Sequence, residues 1–100
     1  MYESANMQKV KKLKELAPEG MAAWAALNEV AMHDGAIPRK YKELMALAVA
    51  FTTQCPYCIE AHAKAARSAG CTDAEIAESA VVAAALRAGG AITHATHAIS

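Results

Sequence analysis

The chain has 100 residues, of which 55% are hydrophobic, and its ten basic and ten acidic side chains cancel to a formal net charge of zero. This length fits one domain and leaves no room for a second. The balanced charge argues against a nucleic-acid partner. Because no apolar run is expected to reach the length of a membrane span, and the first residues lack the continuous apolar core of a signal peptide, we expect a cytoplasmic protein without a membrane partner.

The hydrophobic periodicity predicts an all-α chain of five to six helices. The helices are expected over residues 3–16, 18–32, 38–53, 55–69 and 73–88, with a break at Gly89 and Gly90 and a short last helix over 91–99. No segment shows the alternation that is typical of a strand. The body of the third helix, Leu44 to Phe51, is apolar on nearly every side, which predicts burial in a core or an interface. The fifth helix is strongly apolar from Val81 to Leu86. Because alanine, which buries little surface, dominates the apolar residues, we expect a homo-oligomer.

The fourth predicted helix carries two cysteines and a histidine at helical spacing. Pro56 favours a helix start, so Cys55 lies at the cap or first turn, and Cys58 and His62 follow three and seven residues later on the same face. Exposed amides at a helix start stabilise a thiolate, and an imidazole one turn away can take the thiol proton. A second thiol within reach can resolve a sulfenic acid. The spacing therefore predicts thiol redox chemistry.

Glu43 is the fourth candidate. If the turn between the third and fourth helices lies near Gln54, Glu43 is eleven residues before it, roughly 16 Å along the helix, and His62 is eight residues after it, roughly 12 Å. In an antiparallel hairpin the two side chains then lie at about the same level. This predicts a proton relay from carboxylate to imidazole to the Cys58 thiol, although Glu43 alone also fits an ordinary acid in the first turn of a helix.

Three other interpretations stay open at this point. The two cysteines, His62 and Glu43 could bind zinc or iron, but the second ligand pair of a structural site is missing unless His94 and His97 supply it. The Cys-Pro-Tyr-Cys motif is also similar to the glutaredoxin active site, which would have to follow a strand. A third interpretation is an oligomeric redox sensor without turnover. For His94 and His97 we expect a solvated or subunit-contact role ahead of catalysis, although His94 could line the pocket. Cys71 is expected to be buried or half-buried.

The order Glu43, Cys55-Pro56-Tyr57-Cys58 and His62 resembles the alkylhydroperoxidase D-like family of the wider carboxymuconolactone decarboxylase superfamily. The resemblance extends over about residues 39–98. It implies a single AhpD-like helical domain over 1–100 that forms a homo-oligomer, with a hexamer ahead of a trimer or dimer.

The resemblance also implies an activity, which is the thiol-dependent reduction of a hydroperoxide or disulfide, with an external dithiol or redox protein as reductant and with no cofactor or metal. By this analogy Cys58 is the attacking thiol and Cys55 the resolving one, while His62 and Glu43 relay protons. Better-known peroxidases of the family carry a histidine before the second cysteine, where this chain has Tyr57. Superfamily members that decarboxylate a lactone typically lack the cysteine pair, so this activity is disfavoured here.

Overall fold

A computed structural model describes residues 2–100, and over this part of the chain it contains helices and no strand. The order of the α-helices is α1 (Val10–Leu16), α2 (Pro18–Met32), α3 (Arg39–Thr53), α4 (Pro56–Ser68) and α5 (Asp73–Ala95). Short 3₁₀ helices, Ser4–Lys9 and Thr96–Ala98, lie before α1 and after α5. The all-α prediction is confirmed, and the predicted ends of α2, α3 and α4 are correct to within one residue.

The centre of the fold is the α3–α4 hairpin. α3 ends at Gln54, whose left-handed backbone (φ 55°, ψ 49°) reverses the chain within one residue. Cys55 then caps α4 directly, so the two helices lie side by side in opposite directions. α5 packs on α3, and it begins with a capping box in which Thr72 and Glu75 satisfy each other's backbone amides. The turn predicted near Gln54 is therefore confirmed.

The hydrophobic core is small. Leu47 and Ala66 are fully buried and pack with Cys71, surrounded by partly buried apolar side chains, namely Leu44, Phe51, Ala63 and Ile76. α2 buries none of its side chains, and most of the apolar side chains of α5 are exposed. The radius of gyration is 16.5 Å, whereas a compact domain of this length has about 13 Å. The single chain thus leaves much of its apolar surface uncovered.

The two ends of the chain differ from the sequence-based expectation. The break predicted at Gly89 and Gly90 is wrong, because α5 continues through both residues to Ala95. A glycine inside a helix costs about 1 kcal/mol relative to alanine, and the alanines on both sides favour the helix. The predicted helix over 3–16 begins instead as the 3₁₀ helix Ser4–Lys9, which is the segment that contacts α4.

The expectation that no apolar run reaches the length of a membrane span is also corrected. The stretch Asp73–Ala98, which contains an 18-residue window with a mean hydropathy of 1.3, is long and apolar enough to cross a membrane by length and composition alone. Core helices have the same composition, so this observation is weak evidence for a membrane span. Because this stretch is largely uncovered in the single chain, its composition equally fits a helix covered by another protein surface.

The different burial of Leu47 and Leu16 predicts different losses of stability when each is changed to alanine. Leu47→Ala removes a side chain that is 0% exposed, so we expect the free energy of unfolding to fall by about 2–5 kcal/mol in urea titrations followed by circular dichroism. The matched control is Leu16→Ala, at a position 72% exposed, where a change within about 0.5 kcal/mol is expected. Equal losses for both variants would contradict this description of the core.

Candidate active site

Cys55 and Cys58 are joined by a disulfide, with their Cα atoms 5.3 Å apart. Cys55 is the N-cap of α4, as the sequence predicts, and its Sγ accepts a hydrogen bond of 3.3 Å from the backbone N–H of Cys58. Pro56 occupies the first helical position, where a missing N–H costs nothing. The Cys55 sulfur therefore lies at the positive end of the helix dipole, where a negative charge is stabilised.

Glu43 and His62 form the hydrogen bond that the hairpin geometry predicts. The Oε1 atom of Glu43 lies 2.7 Å from Nδ1 of His62. Glu43 is 1% exposed, and it is the one charged side chain that is buried within residues 2–100. Since an ionised carboxylate accepts only, Nδ1 of His62 donates to it, and Nε2 of a neutral imidazole is left as the acceptor. The predicted contact is confirmed, whereas its role in proton transfer stays a prediction.

Cys58, His62 and Glu43 line a single cavity of about 740 Å³ between α2 and α4. Cys58 and His62 are one helical turn apart on α4, so the sulfur and the imidazole face the same space. Cys55 is not among the lining residues. In the disulfide form the sulfurs carry no proton, and a direct contact between His62 and the Cys58 thiol stays a prediction for the reduced protein.

Several cavity residues were not predicted from the sequence. Met7, Trp24 and Met32 form an apolar wall, and Arg39 lies near Glu43. The Nε atom of Arg39 donates to Oε2 of Glu43 at 3.4 Å. The four-residue spacing of Arg39 and Glu43 on α3 could have indicated this pair. Nothing local could have indicated the apolar wall, because it depends on how the N-terminal segment and α2 pack against α4.

Tyr57, between the two cysteines, is held by the N-terminal segment. Its hydroxyl accepts hydrogen bonds from Nδ2 of Asn6 at 3.0 Å and from the backbone N–H of Glu3 at 3.1 Å. These two donors stabilise the phenolate and lower the pKa of Tyr57 below its usual value. The Tyr2 ring packs on the Tyr57 ring at 4.8 Å, and the Tyr2 hydroxyl donates to the Glu60 carboxylate. The first residues therefore fix the position of Tyr57, which lines the cavity.

The remaining candidates lie away from this cavity. His94 and His97 stack edge to face at 5.5 Å at the exposed end of α5, and His94 donates from Nδ1 to the carbonyl of Gly90. His94 is exposed, which agrees with the expected solvated or subunit-contact position, and the alternative that it lines the pocket is not supported, since it is absent from the cavity wall. Cys71 is buried as predicted, and burial raises the pKa of its thiol. Among residues 2–100, no group of three or more His, Cys, Asp or Glu side chains is arranged to hold a metal ion.

The Tyr57 contacts predict a measurable titration. Asn6→Ala removes the donor that contributes most to lowering the pKa of Tyr57, so this pKa should rise toward its usual value. The measurement is phenolate absorbance against pH with Tyr2 and Tyr41, the other two tyrosines of the chain, changed to phenylalanine. Gln8→Ala, in the same 3₁₀ helix, is the matched control. An unchanged Tyr57 titration in Asn6→Ala would show that the Asn6 hydrogen bond is absent in solution.

Comparison with known proteins identifies relatives that match more than half of the chain. The model of the carboxymuconolactone decarboxylase family matches residues 18–100. An uncharacterised protein of the cox locus of Paracoccus denitrificans is 49% identical over 78 residues, which are 78% of this chain and 70% of that protein. An alkyl hydroperoxide reductase of Mycobacterium tuberculosis is 44% identical over 64 residues, which are 61% of this chain but only 18% of that protein.

Solved structures give the same relationship. A carboxymuconolactone decarboxylase family protein from Legionella pneumophila, in its apo form, superposes with a TM-score of 0.76 at 31% identity, over 90% of this chain and 80% of that one. A protein from Methanobacterium thermoautotrophicum superposes with a TM-score of 0.81 at 32% identity, over 88% and 99% of the two chains. The chain therefore belongs to the carboxymuconolactone decarboxylase family.

Proposed function

We propose that this protein is an oxidoreductase that uses Cys55 and Cys58 as a reversible dithiol to reduce a hydroperoxide or a disulfide. The observation that carries the proposal is the shared cavity, in which Cys58 lies together with the hydrogen-bonded pair of His62 and Glu43. The similarity to an alkyl hydroperoxide reductase supports the same activity. The sequence resemblance described above, at the Glu, Cys, Cys and His positions, supports it independently of that relative.

The oxidative half of the cycle begins at Cys58. Neutral His62 takes the thiol proton, and the thiolate attacks the terminal oxygen of the hydroperoxide, so the O–O bond breaks and Cys58 becomes a sulfenic acid. The leaving alkoxide takes the proton back from His62 and departs as an alcohol. The Cys55 thiol then attacks the sulfenic sulfur, a disulfide forms and water leaves. Glu43 holds the imidazole in place and stabilises its charged form during each transfer.

The reductive half follows from the different positions of the two sulfurs. An external dithiol reaches the disulfide through the cavity, and Cys58 is the sulfur that lines it. Attack there breaks the S–S bond and releases Cys55 as a thiolate, which receives the hydrogen bond of the Cys58 amide at the start of α4. The second thiol of the reductant then attacks its mixed disulfide with Cys58 and restores the reduced protein. Run in the opposite direction, the same exchange reduces a disulfide substrate.

Decarboxylation of a lactone, which the family name describes, has less support. That reaction neither oxidises nor reduces its substrate, so it has no use for a dithiol that opens and closes. The proposed cycle, by contrast, uses every member of the observed cluster and needs no metal or organic cofactor. It does need a supply of reduced dithiols, which is why we propose a cytoplasmic location.

The cycle predicts different outcomes for the two cysteines. Cys58→Ser should abolish hydroperoxide consumption in the presence of a dithiol reductant. Cys55→Ser should accumulate the Cys58 sulfenic acid, which mass spectrometry detects as one added oxygen that dimedone traps. Cys71→Ser is the control and should keep the activity, because the Cys71 thiol is buried outside the cavity.

Two results would contradict this assignment. Full turnover in Cys58→Ser would remove Cys58 as the attacking thiol. Consumption by the unsubstituted protein that stops at one equivalent of hydroperoxide per disulfide, with reductant in excess, would show a redox sensor instead of an enzyme.

We also propose that the functional unit is a homo-oligomer, a hexamer ahead of a trimer or dimer. α2 and α5 each expose a series of large apolar side chains that are between 54% and 73% accessible, namely Trp24, Leu27, Val30, Val81, Val82, Leu86 and Ile92. Exposed apolar surface on this scale is typical of a protein interface. Nothing within 4 Å meets a Cβ placed at Gly89 or Gly90, so α5 offers a close approach to a second helix.

This proposal predicts that a charge on α5 disrupts assembly. Leu86→Glu places a carboxylate on the exposed apolar face, so the mass in solution, measured by light scattering after size-exclusion chromatography, should fall to that of a smaller species. Lys64→Glu, on the exposed side of α4, introduces the same side chain outside that face and should leave the mass unchanged. A monomeric unsubstituted protein would contradict the proposal.

A further inference from the structure

We propose that the N-terminal segment, residues 2–9, selects the substrate: it places Met7 on the wall of the cavity that contains Cys58, so that the site favours a hydroperoxide with an apolar body over hydrogen peroxide. This inference rests on the proposed function, because it names the substrate class and a specificity-determining residue of the same cavity. The family model matches residues 18–100, so the N-terminal segment lies outside that match.

The N-terminal segment is attached to α4 by polar contacts and not by burial, since no residue of Ser4–Lys9 is buried. The Tyr57 hydroxyl accepts two of its N–H groups, at 3.0 and 3.1 Å. The Glu60 carboxylate accepts from Oγ of Ser4, which lies 2.8 Å from both of its oxygens, and from the Tyr2 hydroxyl. Because Tyr57 and Glu60 are three residues apart on α4, they share one face, and the segment is held along it.

Met7 is the one residue of the N-terminal segment that lines the cavity, where it forms the apolar wall with Trp24 and Met32 of α2. It is 43% exposed and takes no part in the hydrophobic core around Leu47. An unbranched thioether side chain adapts to ligands of different shape. The apolar wall beside Cys58 therefore comes from elements outside the α3–α4 hairpin, and the contacts on α4 determine whether Met7 belongs to it.

The size of the cavity and its apolar wall fit an organic substrate. Its volume of about 740 Å³ lies within the range of about 300–1,000 Å³ that is typical of sites for small organic ligands. Hydrogen peroxide has no apolar surface, so it gains nothing from the wall. The body of an organic hydroperoxide gains affinity in proportion to the apolar surface that it removes from water. The wall thus distinguishes the two substrates by their bodies, while the peroxide group of either reacts at Cys58.

The test measures this apolar contact in reduced protein, without any turnover. Cys55→Ser and Cys71→Ser leave Cys58 as the one thiol of the chain. Its alkylation rates by N-benzyliodoacetamide and by iodoacetamide are measured at one pH. The two reagents share the leaving group and the reacting carbon, so a change in thiol basicity alters both rates alike and cancels in their ratio. The ratio of the benzyl rate to the iodoacetamide rate therefore reports the contact of an apolar body with the cavity.

In Met7→Ala this ratio should fall by about threefold, a moderate change because Met7 is partly exposed and covers only part of a bound ligand. Met7→Leu keeps an apolar side chain and should retain most of the ratio. The matched control is Met45→Ala, the same change on α3 at a position that is 52% exposed and outside the cavity wall. It should leave the ratio unchanged. All variants are compared at equal mass in solution, so that a change in assembly is not mistaken for a change in the cavity.

A second variant tests the attachment of the segment. Glu60→Ala removes the carboxylate that accepts from Ser4 and Tyr2, and Glu60 does not itself line the cavity. An effect on the ratio must therefore pass through the N-terminal segment, and we expect a fall in the same direction as in Met7→Ala. Glu78→Ala, which removes an exposed carboxylate from α5, is the matched control and should have no effect.

Turnover of the protein with all its cysteines gives the parallel result. Met7→Ala should raise the KM for cumene hydroperoxide by about threefold, with kcat and the rate with hydrogen peroxide unchanged. An alkylation ratio that stays constant or rises in Met7→Ala overturns the inference. If the ratio is constant while the unsubstituted protein turns over hydroperoxide, only the role of the segment is lost. If the ratio falls but no hydroperoxide is turned over, the proposed function fails, and the apolar contact beside Cys58 stands without it.

Discussion

The hydrogen bond between Glu43 and His62 is the constraint on which the site depends. A carboxylate that is 1% exposed is tolerated only with partners, because the cost of removing it from water is several kcal/mol. His62 and Arg39 supply those partners at 2.7 and 3.4 Å. The same bond joins α3 to α4 and fixes the orientation of the imidazole toward the cavity. The Glu43 carboxylate, whose burial costs stability, thus determines the orientation of the His62 imidazole.

The site could be predicted from the sequence to the extent that it is local. Cys55, Cys58 and His62 lie on one helix, and Glu43 is one hairpin away, so locating the turn at Gln54 was enough to place all four. The 3₁₀ start of the chain could not be predicted in this way. It depends on hydrogen bonds across more than fifty residues, such as that between Asn6 and Tyr57, which leave no periodic signal in the sequence. The helix break predicted at Gly89 and Gly90 is wrong for a different, local reason, because the neighbouring alanines favour the helix there.

Because the chain is rich in alanine, the helices that carry the site and the helices outside it bury different amounts of apolar surface. The α3–α4 hairpin alone carries Glu43, Cys55, Cys58 and His62, and the core beneath it consists of little more than Leu47, Ala66 and Cys71. The other helices contribute few buried side chains, so their apolar faces remain available for a different surface. The radius of gyration of 16.5 Å is large for this chain length because these helices pack against few other residues. In the proposed function, the chemistry depends on the hairpin, while the proposed assembly would cover the apolar faces of the other helices.

The two sulfurs of the disulfide are not equivalent, and this asymmetry gives the proposed cycle its direction. The start of α4 stabilises negative charge at Cys55, through the amide of Cys58, while His62 faces the cavity beside Cys58. In the proposed cycle, the Cys55 sulfur is therefore suited to leave as a thiolate, and the Cys58 sulfur is suited to be attacked. Tyr57 lies between the two sulfurs in the chain, and its hydroxyl is occupied by the donors of Glu3 and Asn6. In the proposed cycle, proton transfer at the dithiol therefore relies on His62, which the buried Glu43 carboxylate holds in place.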